Sequence, residues 1–408
     1  MKILATGDWH IGNQFHGKNR AEEHGHFLNW LREMCVKHSP DILLVTGDVF
    51  DSKDPTPGSQ KLYYSFLRKL SSDCPLMRTV IIAGNHDNPS LLEAPQDLLS
   101  EFNIEVRGHI SRDPGAGKSP VIKVDTQNGS VIILAVPYMR RSDFSFEQET
   151  YGKAVTEYLS GLVREARETD ADVPVVMAAH LYGAGASIAE EDHSESFFVG
   201  GEPQINLTAL SDRPDFLFSG HIHKRQNINN CPWAQYTGSA LPMSFTERRY
   251  VHGADLVTFD GKDISGQEFL QYAPLRNLRT YGPETLDKVL EAIREDLDSL
   301  DGDYIEAKVK VEGPGTDPET EIRIVLGDKS SLLCDCKELL MNSSGNASDS
   351  ESSVTTLENA AQLATDKVVM EVLERRFRAS VGTDELSDEE KSTLDEILSA
   401  AREREKLN

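Results

Sequence analysis

The stretch Asp41-Ile42-Leu43-Leu44-Val45-Thr46-Gly47-Asp48 decides the fold of this chain. Four consecutive apolar residues closed by a polar turn describe a strand buried on both faces, and such strands belong to sheets covered by helices. Asp48 is thereby delivered to the C-terminal edge of the sheet, where open α/β sheets bind ligands. The fold class read from this stretch is α/β.

Four other segments repeat the pattern. Residues 2–6 form a strand that turns out through Gly7-Asp8-Trp9-His10. Asp8 and His10 are two apart, so an extended backbone points both to one side, toward a single ion. Residues 78–83 lead into Gly84-Asn85-His86-Asp87, with Gly84 allowing a tight exit. The Asn85 amide oxygen is a neutral hard ligand. His86, its neighbour, must point elsewhere, which suits a proton donor. Residues 175–179 deliver His180, and 215–219 deliver Gly220-His221-Ile222-His223, followed by Lys224-Arg225.

Each group alone has an ordinary explanation. Asp-x-His is common in surface loops, and a single histidine at a strand end is usually just hydrogen-bonded. Five strand ends in order, each bearing metal-capable groups, form a pattern. Asp8, His10, Asp48 and His223 would hold one ion, and Asp48, Asn85, His180 and His221 the other. Imidazole, carboxylate and amide donors without thiolate suit Mn²⁺, Fe²⁺ or Zn²⁺. Two such ions suit hydrolysis of phosphate esters, generating a nucleophile at neutral pH and neutralising charge in the transition state. His86 would protonate the departing oxygen. Asp51 either orients that imidazole or stabilises a turn.

The remainder supplies the frame. Helices are expected over 21–37, 60–71, 91–102 (despite Pro95) and 146–167, and a hairpin over 121–136 through Gln127-Asn128-Gly129. His16, His24, His26 and His38 read as surface or satisfied polar residues. From about residue 275 an amphipathic helix (286–300) and an alternating strand (305–311) suggest a small α/β domain reaching to 341. Residues 342–353, rich in Ser, Asn, Asp and Gly, read as a flexible linker. Beyond it, at 354–408, lie two amphipathic helices, one near 366–379 and one opening at the capping box Ser387-Asp388-Glu389-Glu390. They have little surface of their own to pack on and favour a protein partner.

Composition sets the bounds. The 408 residues are 38% hydrophobic and 27% charged, with no run of membrane-spanning length and no signal peptide expected. Five cysteines at irregular spacing argue for a reducing cytoplasm, and Cys334 and Cys336 read as strand residues on one face. A net charge of −25 disfavours unaided tight binding to nucleic acid.

The motifs Gly7-Asp8-Trp9-His10-Ile11-Gly12, Gly47-Asp48-Val49-Phe50-Asp51, Ala83-Gly84-Asn85-His86-Asp87, Gly220-His221-Ile222-His223 and Gly238-Ser239-Ala240-Leu241-Pro242-Met243-Ser244-Phe245 resemble the calcineurin-like metallophosphoesterase superfamily. Within it they resemble its bacterial DNA-nuclease branch. The resemblance implies a β-sandwich flanked by helices (1–274), a capping domain (275–341), the linker (342–353) and an ATPase-binding helix pair (354–408). It implies two Mn²⁺ (with Mg²⁺, Fe²⁺ or Zn²⁺ as alternatives) on the seven ligands, and His86 as the catalytic histidine. It implies a cytoplasmic, nucleoid-associated homodimer built from the helices near 60–71 and 91–102. Its activity would be that of an ATP-dependent double-strand exonuclease and single-strand endonuclease in DNA repair and recombination. A coiled-coil ATPase gripped by the C-terminal helices would share the work of holding DNA, which answers the charge problem. Arg140, Arg141, Lys224, Arg225, Arg248 and Arg249 are candidates for phosphate contacts, or else solvated surface charge. Archaeal and eukaryotic relatives carry His where this chain has Asp51, so their use of that position does not carry over. The alternatives are a phosphodiesterase or phosphatase of small esters, and a non-catalytic scaffold.

Overall fold

A computed structural model describes residues 1–110, 119–144, 151–184, 204–228, 231–311 and 317–340. The expected linker and C-terminal helix pair lie outside the described residues.

The Asp48 strand, Ile42–Val45, is the third from one edge of the run Gly253–Asp260, Lys2–Thr6, Ile42–Val45, Arg78–Ile82 and Ile104–Arg107, within a six-stranded sheet closed by Asp263–Gln271. The strands Lys2–Thr6, Ile42–Val45, Arg78–Ile82 and Ile104–Arg107 are parallel, with Leu4 opposite Leu43 and Val45 opposite Ile81. A second six-stranded sheet runs Gln226–Ile228, Cys231–Tyr236, Phe216–Gly220, Val175–His180, Gly129–Val136 and Val121–Thr126. There Gly220 lies opposite His180. Parallel register places the C-terminal ends of neighbouring strands level, so the polar turns leave along one edge of each sheet.

Side-chain alternation builds the layers. Ile3, Ala5, Ile42, Leu44, Val80 and Ile82 pack against Val131, Ile133, Val176, Ala178, Phe216 and Phe218, forming the seam between the sheets. Their neighbours Leu4, Leu43, Val45 and Ile81 face outward onto Phe27, Leu28 and Leu31 of the helix Ala21–His38, and Phe66, Leu67 and Leu70 of the helix Pro57–Asp73. On the far side Val175, Met177 and Leu217 meet Val155, Leu159 and Val163 of the helix Tyr151–Thr169. Each fully buried aliphatic side chain contributes roughly 1.5–3 kcal/mol relative to exposure. The apolar run 42–45 is thus buried on both faces because helices cover one and the second sheet the other.

Two elements differ from the sequence reading. The helix expected over 60–71 begins at Pro57, because Thr56 caps it by accepting from Ser59 N at 3.1 Å and proline is tolerated in the first turn. The expected helix over 91–102 is two short helices, Pro89–Glu93 and Gln96–Ser100. Pro95, lacking an N–H, divides them.

Residues 1–309 and 317–337 form one compact unit. It includes the start of a three-stranded sheet, Leu278–Thr285, Tyr304–Val311 and Leu333–Leu340, carrying the helices Leu286–Asp296 and Pro318–Leu326. Val289, Ile293, Ile305, Ala307 and Ile322 are buried there. The described part of the second unit, 310–316 and 338–408, is the ends of two of these strands. Among the described residues no helix is long and apolar enough to cross a membrane.

Candidate metal centre

The strand ends bring all the expected groups together. Asp8, His10, Asp48, His180, His221 and His223 are buried, whereas Asn85 and His86 are half-buried. The backbone that aims them is unusual. Asp8, His10 and Asp48 have φ of 47°, 46° and 48°, and His221 has 92°, so four of the seven non-glycine residues with positive φ among the described residues belong to the site. Each such residue costs about 1–3 kcal/mol, which the surrounding fold must offset. The extended Asp8-Trp9-His10 expected from spacing does not form; left-handed turns aim the two side chains instead. The approach is also close. A Cβ at Gly84 would stand 2.0 Å from Asp48 Oδ1 and 2.4 Å from Asp48 N.

Two donor sets face each other. In the first, His10 Nε2 and His223 Nε2 are 3.2 Å apart. His223 Nδ1 donates to Glu247 Oε1 at 2.9 Å, and His10 Nδ1 stands 3.3 Å from Asp51 Oδ1. In the second, Asn85 Oδ1 lies 2.9 Å from His180 Nε2 and 3.1 Å from His221 Nδ1. His180 Nδ1 donates to Thr46 O at 2.9 Å, which turns Nε2 toward the centre. Between the sets, Asp48 Oδ2 is 3.4 Å from His180 Nε2 and 3.7 Å from His10 Nε2. That oxygen is buried and accepts no hydrogen bond. A buried carboxylate oxygen without a partner is costly, and a cation on either side would satisfy it. Asp8, expected in the first set, lies against the second: its oxygens accept from His221 N at 3.0 and 3.1 Å, Oδ1 is 3.8 Å from His180 Nδ1, and its donor atoms group with those of Asp48 and His180. The donors fit divalent cations, which His10, His223, Asn85, His180 and His221 would hold with Asp48 placed between the two sets.

His86 lies against the first set, its ring 4.8 Å from that of His10. Its Nδ1 donates to the main-chain carbonyl of Asp51 at 2.9 Å. The expectation for Asp51 is corrected here. Its carbonyl, not its carboxylate, holds His86, while the carboxylate faces His10 and accepts from Asn13 Nδ2 at 3.0 Å. Left-handed turns at the strand end bring the Asp51 peptide, rather than its side chain, over the ring.

Two supporting residues carried no role in the sequence reading. Asp87 is buried and accepts from Val49 N, Phe50 N and Gly84 N at 3.1, 2.9 and 2.8 Å, tying the Asp48 turn to the Asn85 turn. Glu247, in the short helix Phe245–Arg249, is 1% exposed and holds His223. The basic candidates divide. Arg225 is occupied, donating twice to Asp255 Oδ1 at 2.9 and 2.6 Å and lying 4.4 Å over the Phe269 ring, because the buried Asp255 carboxylate needs a cation. Lys224 lies 5.8 Å over the Tyr250 ring, and Arg248 donates to Phe245 O at 2.9 Å. Arg141, Arg248 and Arg249 are exposed, and Arg140 is half-buried.

Charge is tightly balanced in the cage. Burial, helped by Asp48, pushes the Asp8 carboxyl up to about 6. Burial alone would raise Asp48 and lower His180. The pairing between them outweighs it, holding Asp48 below the usual carboxylate range and, with Asp8, pushing His180 up to about 10. For His180 Nε2 to hold a cation, that nitrogen would have to lose its proton. Apparent Mn²⁺ affinity of chelated protein is expected to rise with pH, up to about tenfold per unit, from pH 6 toward the His180 value of about 10. Titration calorimetry in buffers of different ionisation enthalpy checks this through the protons released; a pH-independent affinity would refute it.

A sandwich of two sheets whose common edge carries histidine and carboxylate donors around a buried aspartate defines a class, the metallophosphoesterases. The family model described as calcineurin-like phosphoesterase matches residues 1–225, and the chain belongs to that family. Within it, the chain is similar to SbcD of the nuclease SbcCD from Escherichia coli K12, at 32% identity over 289 residues, covering 66% of this chain and 68% of the relative. The same-named proteins of Rhodobacter capsulatus (29% identity, 78% and 82% covered) and Bacillus subtilis 168 (28%, 66% and 69%) agree.

Proposed function

We propose that this chain is the nuclease subunit of a DNA-processing complex that hydrolyses phosphodiester bonds at the Asp48 centre and acts in repair and recombination. The observation that carries the reading is Asp48 Oδ2, buried without a hydrogen bond between His180 Nε2 and His10 Nε2. Asp8, His10, Asp48 and His223 would hold one Mn²⁺, and Asp48, Asn85, His180 and His221 the other, with Mg²⁺, Fe²⁺ or Zn²⁺ as substitutes. When bound, such ions provide a nucleophile at neutral pH and neutralise charge on the phosphate oxygens.

The chain's own groups do the rest. Thr46 O, Glu247 and Asp51 fix imidazole orientation, so donors are in place before substrate arrives. His86, with Nδ1 tied to Asp51 O, presents Nε2 as the proton donor to the departing oxygen. Arg140, Arg141, Lys224, Arg248 and Arg249 are the candidates for steering the DNA backbone. An SbcC-like ATPase, held by residues 354–408, would bring the DNA that a chain of net charge −25 attracts poorly. The domain plan is the nuclease body 1–274, the cap 275–341 and the linker 342–353. The subunit would work as a homodimer in the cytoplasm, at the nucleoid.

The test uses the full chain with Mn²⁺ on linear duplex DNA, single-stranded DNA and p-nitrophenyl phosphate esters, with and without the ATPase and ATP. Expected are manganese-dependent nicking of single strands by the chain alone and duplex degradation only with ATPase and ATP. A chain ending at residue 353 should keep the nicking and lose co-purification with the ATPase. Hydrolysis of small esters without DNA cleavage would establish the phosphatase alternative instead.

A further inference from the structure

The short helix Phe245–Arg249 and the turn before it lie outside the donor set, yet they hold one of its members. Glu247 uses both carboxylate oxygens: Oε1 accepts from His223 Nδ1 at 2.9 Å and Oε2 from Met243 N at 2.7 Å. The Pro242–Met243 peptide is gripped on its other side as well, because Pro242 O accepts from Arg20 Nη1 at 2.7 Å. Arg20 is 1% exposed, and its Nε and Nη2 donate to Glu23 Oε1 at 3.2 and 3.0 Å. The second oxygen of Glu23 accepts from Tyr304 Oη at 2.6 Å. Tyr304 begins the strand Tyr304–Val311, and its ring lies 5.0 Å from Phe15, which in turn meets Phe245 at 5.1 Å. Arg276, just before the strand Leu278–Thr285, pairs with Glu22 at 2.6 Å. A continuous chain of hydrogen bonds therefore runs from the three-stranded sheet to His223.

We propose that Glu247 is the positioning residue for His223, and that the Arg20–Glu23–Tyr304 chain makes the affinity of the His10/His223 cation site depend on how the 278–309 segment is seated. This inference rests on the two-cation reading above. The physical case is that the links are ionic or charge-assisted and all but the part-buried Met243 N–Glu247 bond are buried, so a break leaves a desolvated charge without its partner instead of exchanging it for water. Tyr304 supplies the hydrogen bond to Glu23 from that segment, beside the Arg276 Nε that stands 3.9 Å from the same oxygen, and a shift there moves the acceptor of Arg20. Arg20 in turn fixes the peptide that fixes Glu247. In the Asn85/His180/His221 site the His180 imidazole is held from a different place, by Thr46 O. Occupancy of the two sites is thus set by different parts of the fold.

The test is Mn²⁺ binding to the full chain after chelation, by titration calorimetry and electron paramagnetic resonance, with melting temperature as the check on folding. The unaltered chain should bind two ions. Glu247→Ala should weaken one site by about 10–100-fold, and leave the other within about threefold. Glu247→Gln keeps the size but offers one acceptor for two donors, and should weaken the same site by about tenfold. Tyr304→Phe keeps the ring beside Phe15, removes only the hydroxyl, and should weaken that site about fivefold. Wild-type affinities in folded Glu247→Gln and Tyr304→Phe, or equal weakening of both sites, would overturn the proposal. A wild-type chain that binds no Mn²⁺ would instead overturn the metal-centre reading beneath it.

Discussion

Asp48→Asn is expected to lower DNA cleavage by about a thousandfold or more, roughly 4 kcal/mol of transition-state stabilisation. It should also remove tight binding of both ions. Asp48 lies between the two donor sets, with Oδ2 3.4 Å from His180 Nε2 and 3.7 Å from His10 Nε2. An amide is nearly the same size but carries no charge, so it bridges two cations poorly. The Oδ1 position would still accept the His86 amide, now at 2.9 Å, so the turn should keep its shape. Metal content by mass spectrometry of the native protein, with circular dichroism as the folding check, tests this. Two tightly held ions in Asp48→Asn would contradict the bridging role.

His86→Ala separates a proton donor from a ligand. The ring is half-buried, its Nδ1 is committed to Asp51 O at 2.9 Å, and its ligand-capable atoms lie near those of His10 and Asp48. As a general acid it should contribute about 10²–10⁴-fold to the rate. Loss of that factor with both Mn²⁺ retained is the expected result, together with partial relief on substrates whose leaving group needs no proton, such as p-nitrophenyl esters. Loss of one ion in the variant would make His86 a ligand, and an unchanged rate would remove it from the mechanism.

What the sequence made legible follows from physics that acts locally. Buried parallel strands must be apolar runs, and their exits must be short and polar. Asp8, Asp48, Asn85, His180 and His221 could therefore be placed at one edge without knowing the pairing of the strands. The helix Ala21–His38 was visible in its apolar stripe. The strand Ile104–Arg107 was not, since the alternation of Ile104, Glu105, Val106 and Arg107 lasts only four residues, too few to stand out from a loop. Long-range partners were hidden too. Glu247 is 24 residues from His223, and Tyr304 is 281 residues from Glu23, with no spacing rule linking either pair. Nor does composition reveal that Asp8, His10, Asp48 and His221 adopt left-handed backbone, because those turns are imposed by packing around them. Arg225 looked available for phosphate only because its partner Asp255 lies on a distant strand.

The seam between the sheets has a mechanical meaning. Asp48 and Asn85 ride on one sheet and His180 and His221 on the other, so the spacing of the jaws is set by how Leu44, Ile82, Val176 and Phe218 interlock beneath them. Trimming one of those side chains leaves every catalytic group intact and lets the vice go slack. Heat-sensitive loss of activity should therefore trace to this buried layer, well below the cleft where the chemistry takes place.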